Sequence, residues 1–527
     1  MKPVIINRFD GGLTNDPRDR TSNVVKALTN FDAFSNVHKL TPFRDSENGD
    51  SSSATNLITS FSMAKTSGTS PADVYNLYGL GSTSNKAKIY YKDLATALGN
   101  ATWTSTSNNV SAAGTVSPNL FVHYSRSNSG SAVNNSGIIF GAKAVGGAGS
   151  TIWGYDPTGL TAFEEDWPLN VGAVASPTMY RVAQGLVHSK DDVLYIPYDN
   201  KIMSNDNDTW TVAALTLPSF GYIPCISEYR DFLAVALAPL AGVGPNYVYL
   251  WGRDASTATT AEKIYWGEEQ LAFIEELEGM LVGVSIANTS LRHNNRLVFR
   301  VYDGYSARKV LEITAPLNGS SSSITIDGNA TAKQKINNRF FFSATITIDG
   351  VARKGVWSFG RNPSGQWTLI HERTPNNDSA STTGTTGFIY VSDYLFQVYD
   401  TAMSKTNDQL SYTATSILET VVNPNMDPRD MSRLKQLVGA SLSFEKFPSG
   451  GTAVVKYRVD ATTAWSSATT VISYSTAGDY IVEQTKDNAG TEFTAGREYE
   501  FRIESTGGVE ITELKYTYEN LESILPA

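Results

Sequence analysis

Five histidines, His38, His123, His188, His293 and His371, are the chain's whole stock of imidazole, and no two stand at a metal-ligand spacing. Other residues could still do chemistry. Glu164-Glu165-Asp166 runs into Trp167, a pair of carboxylates beside a ring on which a sugar could stack. Glycoside hydrolysis asks for little more than two carboxylates about 5–10 Å apart. A solvated loop accounts for the same residues, and that is the reading taken. Asp206-Asn207-Asp208 beside Trp210 offers oxygen ligands at a loop tip, and Glu268, Glu269, Glu275, Glu276 and Glu278 crowd negative charge into one stretch. A polar blade edge explains both. The near-copies Ile324-Thr-Ile-Asp-Gly328 and Ile346-Thr-Ile-Asp-Gly350 lack the further alternating oxygens of a calcium loop and read as strand-to-turn signals. The one cysteine, Cys225, can form neither an internal disulfide nor a zinc site, and its neighbours Ile223, Pro224 and Ile226 suit a small buried hydrophobe. With no Gly-x-Ser-x-Gly elbow, phosphate loop or dinucleotide fingerprint, the expectation is a non-enzyme with no catalytic residue, no cofactor and no metal.

The elements that would carry any site read as strands. The 527 residues include 42 Gly, 26 Tyr and only 18% charged residues, a composition suited to many short strands and tight turns. Seven aromatic-rich strands end on Asp or Asn, at Asp93, Asp156, Asp199, Asp254, Asp303, Asn362 and Asp400. The gaps run from 38 to 63 residues with a mean of about 51, close to the roughly 40–50-residue blade of kelch and WD-type arrays. Such a unit cannot bury both faces alone. The expected fold is therefore all-β, a β-propeller of about seven blades with a degenerate repeat. Each blade is expected to pair an inner strand of small and branched residues with a neighbour whose aromatics cover the next blade. An Asp at the strand end suits a turn, where its side chain can bond the backbone two residues on.

Three domains are expected. Residues 1–56 form an extended N-terminal arm and linker, 57–412 the propeller, and 413–527 a C-terminal β-sandwich or jelly roll. The joint is the turn-rich Pro424-Asn-Met-Asp-Pro-Arg-Asp430. Beyond it six strands are expected, at 437–444, 453–459, 471–474, 480–483, 499–503 and 511–518. The arm carries Phe31, Phe34, Leu40 and Phe43 as apolar pegs, either laid on the chain's own body or gripping a neighbouring copy. Ala261–Glu276 could be helix, although Ile264-Tyr265-Trp266 fits a strand as well. No Lys/Arg cluster exceeds two residues and the net charge is −10, which argues against sequence-specific nucleic-acid binding. The first ten residues lack an apolar core of signal-peptide length, and no run approaches 18 apolar residues, so neither a secretory signal nor a membrane span is expected.

Phe9-Asp-Gly-Gly-Leu-Thr-Asn-Asp-Pro-Arg18, Leu28-Thr-Asn-Phe-Asp32 and Leu40-Thr-Pro-Phe-Arg44 together resemble the opening of tailed-bacteriophage virion proteins, in particular the tail nozzle or tail-tube-extension proteins, also described as DNA-stabilisation proteins. Arg497–Glu504 and Leu514–Glu519 resemble sandwich ends seen in phage tail proteins. The resemblance implies a propeller-based subunit of a ring below the portal and adaptor, which conducts and retains DNA without catalysis. Its implied partners are other copies of itself, neighbouring portal, adaptor or tail proteins, and passing viral DNA. Its implied location is the virion tail, assembled in the host cytoplasm. A glycan-binding tail-tip adhesion protein is the alternative, and a propeller glycosidase the next.

Overall fold

In the computed structural model the described residues are 1–8, 25–32, 36, 38–45, 47–48, 58, 60–67, 74–83, 86–94, 102–109, 116–124, 137–144, 150–157, 163–167, 179–207, 209–242, 244–254, 260–287, 294–316, 324–326, 332–348, 351–373, 385–399, 402–406, 410, 412, 414–424, 426–460 and 464–521. Among them, regular structure is β-strand apart from one 3-10 turn at Trp465–Ser467. The stretch that could have been helical is two strands, Thr260–Gly267 and Gln270–Leu277. No helix among the described residues is long and apolar enough to cross a membrane.

The chain folds into two compact units. One gathers residues 1–46, 356–379 and 406–527, and the other residues 47–355 and 380–405. These bounds differ from those drawn on composition: the arm shares a unit with the C-terminal strands, and residues 356–379 leave the repeat region to join them.

In the larger unit, consecutive antiparallel sheets follow one another along the chain. Ser60–Ser67, Val74–Thr83, Lys86–Asp93 and Thr104–Asn109 make the first, and Val116–Tyr124 to Phe163–Trp167 the second. Leu186–Val187 to Thr209–Thr216 make the third, Gly221–Tyr222 to Thr260–Gly267 the fourth, and Gln270–Leu277 to Ala307–Pro316 the fifth. In the sixth, Ile324–Ile326 and Lys333–Ile336 both pair with Arg339–Ile348, so the two Ile-Thr-Ile copies lie side by side, Ile324 opposite Ile346. The seventh is Thr385–Val391, Tyr394–Tyr399 and Ala402–Thr406, and its outer strand is Glu47–Asn48 from the start of the unit.

Each sheet buries its faces on its neighbours, which is why both faces are apolar. Leu80 and Tyr78 of the first sheet meet Phe121 and Tyr155 of the second, and Tyr195 of the third meets Trp251 of the fourth with ring centroids 5.6 Å apart. Phe273 of the fifth reaches Phe340 of the sixth at 6.0 Å, and Phe341 of the sixth reaches Tyr390 of the seventh at 5.0 Å. Ile389, Phe396 and Met403 of the seventh then pack with Phe61, Leu77 and Trp103 of the first. This is a propeller-like arrangement. Close approach explains the small residues: a Cβ on Gly283 would stand 2.5 Å from the Trp266 ring of the preceding sheet.

Six of the Asp/Asn-ended motifs fall in six different sheets of this unit. They occupy the third strand of the first, second, fourth and fifth sheets but the second strand of the third and seventh. The two shortest gaps are those leading into Asp199 and Asp400, where the motif moves one strand inward, so the irregular spacing records a change of phase. The Val356–Asn362 motif lies beyond the point where the chain leaves this unit. Motif aromatics cover the next sheet in some places, as Tyr195 on Trp251 at 5.6 Å and Phe299 on Phe342 at 5.9 Å, but not in all. Tyr155, Trp251 and Tyr302 meet Tyr78, Tyr195 and Tyr229 of the preceding sheet. Side chains alternate between faces along a strand, so an aromatic-rich strand serves whichever neighbour its register presents.

In the smaller unit all six expected C-terminal strands are present, as Lys435–Phe444, Thr452–Val459, Thr469–Tyr474, Ile481–Gln484, Tyr499–Thr506 and Ile511–Asn520. Lys2–Ile6 pairs with Ile511–Asn520, which pairs with Lys435–Phe444 and through it with Ile481–Gln484. A second set runs Val25–Thr29, Ser416–Thr420, Tyr499–Thr506, Thr452–Val459 and Thr469–Tyr474. Phe501 from this set packs on Tyr516 from the other at 4.7 Å.

The joint at 424–430 is no loose linker. Asp430 is fully buried and accepts hydrogen bonds from Lys2 Nζ at 2.6 Å, Tyr518 OH at 2.7 Å and Asn520 Nδ2 at 2.8 Å. Burial alone would raise its pKa, but the bonds from Lys2, Tyr518 and Asn520 outweigh it and hold the carboxyl at about 2. A group with a depressed pKa contributes its full stability above its unfolded value, 3.8 here, and loses it as pH falls toward 2. Asp430→Ala leaves buried donors unmatched and is expected to cost about 2–4 kcal/mol. Denaturant midpoints measured from pH 7 to pH 2 check this: the wild-type midpoint falls below about pH 4, and the variant's falls less steeply.

Candidate functional site

Two cavities open in the larger unit. The smaller, about 310 Å³, is lined by Ser227, Glu228, Glu275, Glu276, Lys333 and Lys335 among others. Lys333 is its node. Its Nζ donates to the carbonyls of Ile274 at 3.1 Å and Ile226 at 3.4 Å and stands 3.6 Å from Glu275. Glu275 also accepts from Ser227 Oγ at 3.2 Å, Glu276 pairs with Lys335, and Glu228 accepts from the backbone and hydroxyl of Ser189. Three carboxylates therefore gather here, each already bonded. They bind the third, fourth, fifth and sixth sheets together, and a substrate would have to displace those bonds.

The larger cavity, about 540 Å³, draws on the second to sixth sheets: Ser117 and Asn119, the segment Tyr180–Ala183 ahead of the third sheet, Tyr222–Pro224, Gln270–Phe273, and Thr325–Ile326. This volume lies in the range of small-molecule sites. Arg181 stacks on the Tyr222 ring, 4.4 Å from its centroid, and Gln270 Nε2 donates to Tyr222 OH at 2.9 Å. No Asp or Glu is among the described lining residues.

The residues singled out in the sequence are distributed otherwise. Phe31 and Leu40 are fully buried inside the smaller unit. Leu40 exchanges backbone hydrogen bonds with Ile511, and the half-buried Phe43 donates its N–H to the Asn30 carbonyl at 2.8 Å. Phe34 lies outside the described residues. The described part of the arm is thus laid on its own protomer, where Phe31 and Leu40 are covered. Val25–Thr29 pairs with Ser416–Thr420, so residues 1–45 include a structural strand rather than a free extension. Glu164, Glu165 and Asp166 sit on Phe163–Trp167 with side chains outside the described residues. Asp206 ends a strand, exposed, while Asp208 lies outside the described residues.

Among the described residues no three His, Cys, Asp or Glu side chains converge to hold a metal. Cys225 is buried and burial pushes its thiol up to about 11, away from reactivity. Burial lowers His123 to about 4. Trp103, Trp153, Trp251 and Trp357 are buried in packing. The sequence reading missed Tyr180, Arg181, Tyr222 and Gln270. The available signal was Asp199: its carboxylate accepts from the backbone N–H groups of Tyr180 at 3.2 Å and Arg181 at 3.0 Å, rather than bonding two residues on.

No protein-family model and no curated protein matches the chain. Solved structures similar to it include the WD40 domain of Toxoplasma gondii coronin, at 9% identity over 69% of this chain and 87% of that one with a TM-score of 0.35. The β-propeller domain of the Trilobed protease from Pyrococcus furiosus is 11% identical over 66% and 96%, with a TM-score of 0.35. An α-L-arabinofuranosidase of Fusarium graminearum is 10% identical over 63% and 98%, with a TM-score of 0.32. At these scores the likenesses carry no functional information.

Lys333→Met leaves Glu275 without its cation and two carbonyls without their donor. It is expected to destabilise the protein by about 2–4 kcal/mol, with Lys333→Met/Glu275→Gln recovering part of the loss. Denaturant unfolding of both variants measures this, and a double variant as unstable as the sum of two independent losses would show that the pair is not coupled.

Proposed function

We propose that this chain is a non-enzymatic structural protein of a tailed-phage virion, in the tail or head–tail junction. In this reading it is a closed propeller of about seven blades with a C-terminal sandwich, and copies of it form a ring that conducts and retains DNA. The observation that carries the reading is that two of the three virion-like segments, residues 28–32 and 40–44, coincide with residues that build the fold. Asn30 of Leu28-Thr-Asn-Phe-Asp32 adopts φ 58°, a conformation Asn tolerates better than most residues. Its carbonyl accepts from Phe43 N and from Ser416 Oγ at 3.0 Å, and its side chain donates to Thr415 O at 3.1 Å. Arg44 of Leu40-Thr-Pro-Phe-Arg44 donates to Leu410 O at 2.8 Å and lies over the Tyr412 ring. Asn30 and Arg44 each do a defined structural job, and residues 9–18 lie outside the described residues. The net charge of −10 suits a passage through which DNA slides, because tight binding to phosphates needs clustered Lys and Arg.

A glycan-binding tail-tip role is the second reading. It is favoured by an aromatic row at the fourth sheet, where the exposed Phe220 and Tyr265 flank the half-buried Tyr247 with ring centroids 6.3 and 6.1 Å from it. Quantitative mass spectrometry of gradient-purified particles separates these readings from a soluble enzyme. The virion reading expects the chain in particles at a fixed copy number matching a ring. Its absence from particles, or polysaccharide cleavage by the purified protein, would overturn the proposal.

A further inference from the structure

The larger cavity has features that the virion reading does not use. It is pre-organised: Gln184 clamps Phe121, accepting from its N–H at 3.0 Å and donating to its carbonyl at 3.1 Å, while Ala183 N donates to Pro197 O at 3.1 Å. With Asp199 holding the backbone of Tyr180 and Arg181, the segment that presents both side chains is fixed at each end. Asp199 itself sits at φ 46°, anchored at the end of its strand. Tyr180 is 73% exposed beside the cavity, a large ring face that the fold leaves uncovered.

We propose that this cavity binds an anionic saccharide, a sugar unit bearing a carboxylate or a phosphate. The exposed face of Tyr180 suits the C–H face of a sugar ring. Ser117, Asn119, Ser150, Gln270 and Thr325 supply hydroxyl and amide groups for sugar hydroxyls, and several such groups converging in one concavity are what orient a small polar ligand. Arg181 supplies the anion contact. Stacking on Tyr222 orients its planar fork, which can pair with two oxygens at once. No described lining residue offers a competing carboxylate, although the chain as a whole carries ten more acidic than basic residues. Nucleic acid is the less suitable anion, since a cavity of about 540 Å³ with one arginine lacks the clustered cations that phosphate backbones require. The inference does not rest on the virion reading, and its failure would leave the particle measurement untouched.

The test uses the full chain and saturation-transfer NMR with isothermal titration. The probes are a glucuronic acid oligosaccharide, a sugar phosphate, a neutral oligosaccharide of the same length and a single-stranded oligonucleotide. Binding of either acidic sugar in preference to the neutral one supports the proposal, and the stronger of the two identifies the anion. Arg181→Gln is expected to weaken that binding about tenfold or more, since a hydrogen bond to a charged group is worth at least that much. Arg181 is exposed, so the variant is expected to fold, and an unchanged denaturant midpoint verifies it. Asp199→Asn, which weakens the anchor without touching the ligand, is expected to give a smaller loss. Equal binding of the neutral sugar, no effect of Arg181→Gln, binding of the oligonucleotide alone, or no binding in any arm overturns the proposal.

Discussion

The larger unit depends on one constraint: a four-stranded antiparallel sheet with two apolar faces must be covered on both sides. Every sheet in the series meets it by packing on the sheets before and after it. The first and last have no sequence neighbour beyond them, so they meet each other, through Phe61, Leu77 and Trp103 against Ile389, Phe396 and Met403. The short strand Glu47–Asn48 adds the start of this unit to the sheet that comes last in sequence. Removing any one sheet would expose an apolar face on each of its two neighbours. This packing brings groups from five different sheets to a single cavity.

The smaller unit solves a different problem. It is assembled from three separated stretches of sequence, and its stability requires that the first residues find the last. Lys2–Ile6 does so by pairing with Ile511–Asn520, and Asp430 fastens the pair by bonding Lys2 on one strand and Tyr518 and Asn520 on the other. A buried carboxylate with fewer partners would be a liability. With three donors it becomes a fixed point, and the turn-rich joint around it is ordered by what it binds.

Much of this was legible in the residues. Alternation marked all six C-terminal strands, and the Asp-ended motif found one strand in each of six sheets of the larger unit, because aromatic packing and tight turns leave local signatures. What was not legible is what long-range pairing decides. Composition made residues 1–56 look like an arm, since Phe31 and Leu40 stand alone among polar neighbours, yet Asn30 beside Phe31 bonds Ser416 and Leu40 bonds Ile511, far along the chain. The irregular repeat spacing hid a change of strand phase. The cavity residues Tyr180, Arg181 and Tyr222 carry no motif, because a site assembled from five sheets has no local spacing to detect.

The central functional claim is that copies of this chain encircle the tail axis. Cryo-electron microscopy of intact particles tests it most directly. The account predicts axial density below the portal that accepts this fold in a closed ring with DNA or an empty lumen at its centre. Density for the chain only on peripheral fibres, or none in the particle, would contradict it.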